Sequence, residues 1–294
     1  MPQFDATRDN TRRSLGQLKT LHNDLEPGLR DIYVEGRGDV IFYARFLREC
    51  GVPFDGIYAV DDRAVVPGEA VRAVHQEVGA KGRLIALAAE VSTWESSQGV
   101  TCIIDRDFDC FQPIPEFDSL LRTDLSSREL YGLQPGPFSR FVELGLGIDC
   151  PPEAAERLIE TLVPALNELF LARAALHLGS GVGLIERFMT CCTLKRGVLT
   201  VDATELVTRS LARAGESAQR ERVLAKMAEL RRSLPADLRL AIRGHDVGPV
   251  VAAQLGLKND YAKPAVLESI WGPAIGLEDV VDSELFSALR LRLS

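Results

Sequence analysis

Hydrophobic and polar positions in the first half of the chain alternate between short apolar runs and helix-like segments. The apolar runs predict strands at residues 32–34, 56–60, 100–104 and 120–122. Between them, apolar residues recur at helical spacing in residues 40–50, 67–78 and 82–94. Strands that alternate with helices in this way predict a parallel sheet with helices packed on it.

The second half of the chain has a different pattern. From Pro151 onward, long amphipathic segments predict helices at residues 153–178, 184–192, 203–214 and 218–233, and strand signals are scarce. The sequence therefore predicts an α/β domain over residues 1–135, followed by a mostly helical C-terminal domain over residues 136–294. Gly132, Pro135 and Pro137 lie in the connection.

The bulk composition is that of a globular protein. Of 294 residues, 46% are hydrophobic and 26% are charged. No apolar run approaches the roughly 20 residues that a membrane helix needs, and the polar N-terminus lacks the apolar stretch of a signal peptide. We therefore expect a cytoplasmic protein without membrane contact. Six cysteines without a CxxC pair predict buried, reduced thiols, and neither disulfides nor a zinc site.

Charge is unevenly distributed along the chain. The net charge is −8, and residues 1–150 hold 16 Lys and Arg against 24 Asp and Glu, whereas the remainder is balanced at 18 and 18. A broadly basic surface for nucleic acid is therefore excluded, so a nucleic-acid substrate would need a local patch with metal ions, or a partner. Residues 209–243 form a local basic segment, with nine basic and four acidic residues. Arg231 and Arg232 are candidate contacts for nucleic acid or a partner; the alternative is a solvated helix face with ion pairs.

Carboxylates follow three of the predicted strands. Ligands of open parallel sheets bind where the carboxyl ends of the strands meet. The acidic residues after these strands are Glu35 and Asp39; Asp105, Asp107 and Asp109; and Asp124 and Glu129. If the loop after residue 104 is extended, its alternation turns the three aspartates to one side.

So many carboxylates at one edge would repel each other unless a cation neutralised them. Oxygen ligands of this kind suit Mg²⁺ or Mn²⁺, and such ions support phosphodiester cleavage. The simpler interpretation of Asp61, Asp62 and Asp124 is helix capping or a turn. A rival functional interpretation is a haloacid-dehalogenase-like phosphatase with Asp105 as nucleophile. That motif normally continues into Gly-Thr, whereas Phe108-Asp109 follows here.

The run Tyr33-Val34-Glu35-Gly36-Arg37-Gly38-Asp39-Val40-Ile41-Phe42-Tyr43, paired with Ile103-Ile104-Asp105-Arg106-Asp107-Phe108-Asp109, resembles the TOPRIM signature. It is similar to the TOPRIM-like family that includes the nuclease effector of the PARIS antiphage system, related to the OLD nucleases. The resemblance covers roughly residues 28–131, and Gly244-His245-Asp246 looks like a weaker C-terminal motif.

The resemblance implies a Mg²⁺-dependent endonuclease acting on RNA, tRNA included, or on DNA, as a toxin-like effector of antiphage defence. At the matching positions, the resemblance implies that Glu35 is a metal ligand or general base and that Asp39, Asp105 and Asp107 are metal ligands. Asp109 and Glu129 would support these ligands or hold a second metal. His245, in the weaker C-terminal motif, would be an acid or a phosphate contact. The alternative for His245 is a helix start capped by Asp246.

The partners expected from the resemblance include a separate ATPase subunit, because the chain has no Gly-x4-Gly-Lys-Ser/Thr loop. We also expect an oligomer. The alternative of a different class is a non-catalytic regulatory or scaffold protein, whose acidic edge merely binds a metal or a partner.

Overall fold

A computed structural model describes residues 12–75, 77–95 and 97–294 of the chain. Most of the N-terminal segment for which a signal peptide was excluded lies outside these residues. The described strands are β1 (Arg13–Ser14), β2 (Asp31–Val34), β3 (Gly56–Ala59), β4 (Ala64–Val65), β5 (Val100–Ile104), β6 (Leu120–Arg122), β7 (Cys192–Lys195) and β8 (Val198–Val201). The described α-helices are α1 (Leu15–Thr20), α2 (Arg37–Glu49), α3 (Val60–Arg63), α4 (Gly68–Val74), α5 (Ala80–Val91), α6 (Pro135–Arg140), α7 (Pro152–Ser180), α8 (Ala203–Arg213), α9 (Arg220–Arg232), α10 (Gly244–Gln254), α11 (Pro264–Ala274) and α12 (Glu284–Leu293). Single-turn 3₁₀ or π segments include Leu21–Leu25, Arg128–Gly132, Phe141–Gly145, Phe188–Cys191 and Leu238–Ala241.

The chain is divided into two compact units. The first contains the described residues up to Asp105 together with residues 114–124 and 281–294, and the second contains residues 106–113 and 125–280. The sequence predicted one boundary between residues 135 and 136, and this division differs from it. The last fourteen residues join the first unit, a long-range association that local sequence patterns do not reveal.

The first unit is built on a four-stranded parallel sheet in the order β3-β2-β5-β6. Tyr33 on β2 pairs with Tyr58 on β3 and with Cys102 on β5, so β2 and β5 are the central strands. Every residue of these two strands is buried, as expected when helices cover both faces of a parallel sheet. The predicted α/β class, with a parallel sheet flanked by helices and a mostly helical remainder, is confirmed.

Helices of the first unit follow the predicted spacing of apolar residues. On α5, Leu84, Leu87 and Val91 are fully buried in the core beside the sheet. Helix α2 ends at Glu49 and is followed by Gly51, whose φ of +66° is the left-handed conformation that favours glycine after a helix. Helix α4 stops at Val74, earlier than predicted, because the backbone becomes extended at His75.

The C-terminal helix α12 belongs to the first unit. The ring of Phe286 lies 5.7 Å from that of Phe46 and 5.9 Å from that of Tyr43, both on α2. Arg292 donates hydrogen bonds to the Thr101 hydroxyl and to the Val100 carbonyl at the start of β5. These contacts fix α12 beside the strand that precedes Asp105.

In the second unit, α7 is the central helix and contacts α6, α8, α9 and α10. It has 29 residues and continues through Pro164. Its buried side chains include Leu162, Leu169 and Phe170, which form the core of this unit. Among the residues that the structure describes, no helix is both long enough and apolar enough to cross a membrane.

An antiparallel hairpin in the second unit corrects the sequence interpretation. Residues 184–192 were predicted to be helical, but only a 3₁₀ turn forms there, and Cys192 begins β7, which pairs with β8. Arg196 and Gly197 form the two-residue turn with φ values of +52° and +77°. Leu199 is buried and anchors the hairpin. The glycine in this turn, followed by β-branched residues, was the sequence signal for the hairpin.

Candidate functional site

Glu35 and Asp105, one residue from each acidic motif, lie together at the carboxyl edge of the sheet in the first unit. Glu35 follows β2 and Asp105 follows β5, and these central strands are neighbours. The backbone N–H of Asp105 donates a hydrogen bond of 3.0 Å to Oε1 of Glu35. Both side chains are half-buried. The Glu35 carboxylate is therefore fixed beside the start of the aspartate-rich segment.

Asp39 lies in the first turn of α2, as predicted. Its Oδ2 accepts a hydrogen bond of 2.8 Å from the backbone N–H of Gly36, which caps the helix. This bond holds the loop from Glu35 to the helix in one conformation. Capping and metal ligation are compatible for a carboxylate, which has two oxygens, so the metal role of Asp39 stays a prediction.

Two arginine–aspartate pairs lie where β3 ends. Nε of Arg37 is 3.0 Å from Oδ2 of Asp62, and Arg83 donates a hydrogen bond of 2.7 Å to Asp61. The hydrogen bond with Asp62 raises the pKa of Arg37, so this side chain carries a positive charge throughout the physiological range. Both aspartates lie in the first turn of the short helix α3, directly after β3.

The segment Asp105-Arg106-Asp107-Phe108-Asp109 is not extended, which corrects the prediction that its aspartates alternate to one side. The N–H of Asp109 donates to the carbonyl of Arg106, and residues 107–111 form turns. Asp107 has a φ of +47°, a conformation that aspartate tolerates better than most residues. Its N–H donates a 2.8 Å hydrogen bond to the carbonyl of Ser126 in the second unit, to which residues 106–113 also belong. An unusual backbone conformation at a candidate site residue is a feature that functional sites often show.

Asp124, one of the acidic residues after β6, caps a helix. Its Oδ1 accepts hydrogen bonds of 2.7 Å from the N–H of Glu284 and 3.3 Å from the N–H of Leu285, at the start of α12. The capping interpretation of Asp124 therefore agrees with the structure.

Glu129 lies in the second unit beside the Gly244-His245-Asp246 motif. A β-carbon at Gly244 would lie 2.5 Å from Oε2 of Glu129 and would also clash with Oγ of Ser127. The hydroxyl of Ser126 donates a hydrogen bond to the carbonyl of Ile242. Only glycine allows this close approach, so the two segments are packed together, and Glu129 also lies 3.3 Å from Arg128.

His245 and Asp246 have separate partners in the second unit. Nδ1 of His245 is 3.1 Å from Oε1 of Glu268, and both side chains are exposed. Asp246 is buried and accepts two hydrogen bonds, of 2.7 and 2.8 Å, from the guanidinium of Arg173 on α7. Asp246 therefore ties α10 to α7, and it does not cap the helix as one interpretation of the sequence proposed.

The basic segment over residues 209–243 is largely neutralised by ion pairs. Arg231 forms a two-point contact with Glu168 on α7. Five further basic side chains of this segment pair with carboxylates: Arg209, Arg213, Arg220, Lys226 and Arg239. This arrangement supports the interpretation as a solvated helix surface with ion pairs. Arg232 is exposed and stays a candidate contact.

The donor chemistry at the sheet edge fits a hard divalent cation, since all candidate ligands are carboxylates. The structure brings Glu35 and Asp105 together, but among the described residues no group of three or more His, Cys, Asp or Glu side chains is arranged to hold a metal ion. The described residues thus supply the donor type, with Glu35 fixed against the Asp105 backbone, but no complete ligand set. All six cysteines are free thiols, and Cys110 is exposed, contrary to the prediction that all are buried.

Sequence reasoning did not single out Arg37, Arg173 or Glu268. Arg37 stands two residues after Glu35, and that spacing was the available signal for it. The pairing of Arg173 with Asp246 joins helices 73 positions apart and leaves no local signal. Comparison with protein-family models and with curated proteins finds no match to this chain. The TOPRIM resemblance therefore rests on the two acidic motifs themselves.

Proposed function

We propose that this protein is a metal-dependent endonuclease that hydrolyses phosphodiester bonds of nucleic acid at the carboxyl edge of its parallel sheet. The observation that supports this proposal is the hydrogen bond from the Asp105 N–H to Glu35, which joins the first residues after the two adjacent central strands. In open α/β sheets this edge is where ligands bind.

Glu35 is the residue that we assign as general base, because it lies at the strand end and is held by the Asp105 backbone. Asp105 and Asp107 are the proposed metal ligands, with Asp39, Asp109 and Glu129 in supporting roles. Mg²⁺ or Mn²⁺, when bound, stabilises the negative charge that develops on the phosphate oxygens. The Asp39 cap on Gly36 keeps the Glu35 loop in place during this chemistry.

The biological setting follows from the resemblance to the TOPRIM-like effectors. We propose a toxin-like role in antiphage defence, with a separate ATPase subunit as partner and RNA or DNA as substrate. Affinity purification of the tagged full chain from its native host tests the partner. Recovery of an ATPase in stoichiometric amount supports this setting, and purification of the chain alone contradicts it.

The catalytic proposal is tested by replacing Glu35 with glutamine and Asp107 with asparagine. In Glu35→Gln, the amide oxygen of the introduced side chain still accepts the Asp105 N–H, so the fold is preserved while the base is lost. We expect Mg²⁺-dependent cleavage of labelled tRNA, single-stranded RNA and duplex DNA to fall by about 10²–10⁴-fold in Glu35→Gln. Glu49→Gln, an exposed carboxylate at the end of α2, is the matched control and retains the wild-type rate.

Three outcomes would contradict the proposal. A Glu35→Gln protein that cleaves at the wild-type rate excludes Glu35 as the base. A wild-type protein that cleaves none of the substrates with Mg²⁺ or Mn²⁺ supports the scaffold alternative. Metal-dependent hydrolysis of p-nitrophenyl phosphate that survives Glu35→Gln but not Asp105→Asn supports the haloacid-dehalogenase-like phosphatase.

A further inference from the structure

Arg37 is a cation at the same sheet edge as the Glu35–Asp105 pair. It begins α2, two residues after Glu35, and its side chain is 85% exposed. Nε lies 3.0 Å from Oδ2 of Asp62 and Nη2 lies 3.5 Å from Oδ1, so the carboxylate engages one side of the guanidinium. A guanidinium has five N–H donors, and most of those of Arg37 face solvent.

The order of the strands places this cation on a defined side of Glu35. In the sheet order β3-β2-β5, Asp62 follows β3, Glu35 follows β2 and Asp105 follows β5. Arg37 therefore binds the residue that follows β3, whereas Glu35 binds the backbone of the residue that follows β5. The edge thus carries the Arg37 guanidinium at Asp62, after β3, and the Glu35 carboxylate at the Asp105 backbone, after β5.

An exposed ion pair of this kind contributes little to the free energy of folding, so folding stability does not explain why Arg37 and Asp62 are paired. The second pair after β3 joins Arg83 to Asp61. Its arginine is much less exposed than Arg37, because the Arg83 side chain is only 22% exposed. Asp62 orients the guanidinium of Arg37, and the N–H donors that Asp62 does not bind face solvent. Planar guanidinium donors of this type bind phosphate oxygens through charge-assisted hydrogen bonds.

We infer that Arg37 binds a phosphate group of the nucleic-acid substrate and that Asp62 positions its guanidinium. The inference rests on the proposed function for the identity of the substrate. The binding itself requires neither metal nor cleavage, and it is measured separately.

The test uses the full chain in EDTA, with a fluorescein-labelled stem-loop RNA and a DNA duplex of equal length as probes in fluorescence anisotropy. Kd is measured over a range of salt concentrations. We expect Arg37→Ala to weaken binding by about tenfold and to reduce the salt slope by about one, as for the loss of one phosphate contact. Arg37→Lys retains the slope, because the charge remains.

Arg45→Ala is the matched control, since it removes one charge and one exposed ion pair from the same helix. It should leave both Kd and the salt slope unchanged. If Arg37→Ala behaves like Arg45→Ala, or if the wild type binds neither probe, the inference is overturned. Circular dichroism of each variant establishes that the chain is folded.

Asp62→Asn tests the positioning role. We expect weaker binding with an unchanged salt slope, because the charge of Arg37 remains but its orientation is lost. Tighter binding would show that Asp62 only shields Arg37, and it would overturn that role.

The cleavage variant Glu35→Gln separates this inference from the proposed function. Loss of cleavage with normal binding in Glu35→Gln, together with the reduced slope in Arg37→Ala, supports both. Wild-type cleavage by Glu35→Gln would reject the assigned base and leave phosphate binding by Arg37 supported by its own result.

Discussion

Replacing Asp246 with asparagine is the sharpest test of how the second unit is held together. The Asp246 side chain is 3% exposed and that of Arg173 is 15% exposed, and two hydrogen bonds of 2.7 and 2.8 Å join them. Removing one partner of a buried ion pair costs about 3–5 kcal/mol, because the other charge stays buried without compensation. Asparagine keeps one acceptor, and Arg173 retains some exposure, so we expect a loss of about 3 kcal/mol. That is a large part of the about 5–15 kcal/mol by which proteins of this kind are stable.

Urea denaturation of the full chain, followed by the fluorescence of Trp271 in a Trp94→Phe background, measures this loss in the second unit. His245→Ala is the control, because its neighbouring pair with Glu268 has side chains 57% and 51% exposed and should contribute at most about 1 kcal/mol. An Asp246→Asn cost no larger than that of His245→Ala would refute the reasoning. Joint replacement of Arg173 with Met and Asp246 with Leu should recover most of the stability.

Two further predictions concern the second unit. Gly244→Ala should lower the free energy of unfolding by about 1–3 kcal/mol, because its β-carbon would clash with the side chains of Ser127 and Glu129; an unchanged urea midpoint would contradict the close packing. Arg231→Glu with Arg232→Glu should cost about 1 kcal/mol through repulsion of Glu168 and leave nucleic-acid anisotropy unchanged, whereas a steep salt-dependent loss of binding would make these arginines contacts.

Strands that are buried on both faces could be predicted from the sequence with the most success. The strand at Val100–Ile104 has the predicted bounds, because five consecutive buried residues form an apolar run between turn signals. The positions of Glu35 and Asp105 after strands followed directly from such runs. Their adjacency did not, since it depends on β2 pairing with β5 although two strands and four α-helices lie between them in the sequence.

Features that depend on distant partners were missed or wrong. The turn at Asp107 is stabilised by a hydrogen bond to Ser126, so the alternation assumed for an extended loop is absent. The role of Asp246 depends on Arg173, which stands 73 positions earlier in the chain. The hairpin containing Leu199 was missed because the apolar residues before it also fit a helical period, and periodicity alone does not separate the two for short runs.

The placement of α12 determines the order in which parts of the first unit can fold during synthesis. Chains emerge from the ribosome N-terminus first, and most domains fold as they emerge. Here, Phe42, Tyr43 and Phe46 acquire their ring contacts with Phe286 only after residues 281–294 have been synthesised. The unit that carries Glu35 and Asp105 is therefore completed after all residues of the second unit have been made. A chain without residues 281–294 lacks this packing, so synthesis of α12 must precede these contacts in the unit that carries Glu35 and Asp105.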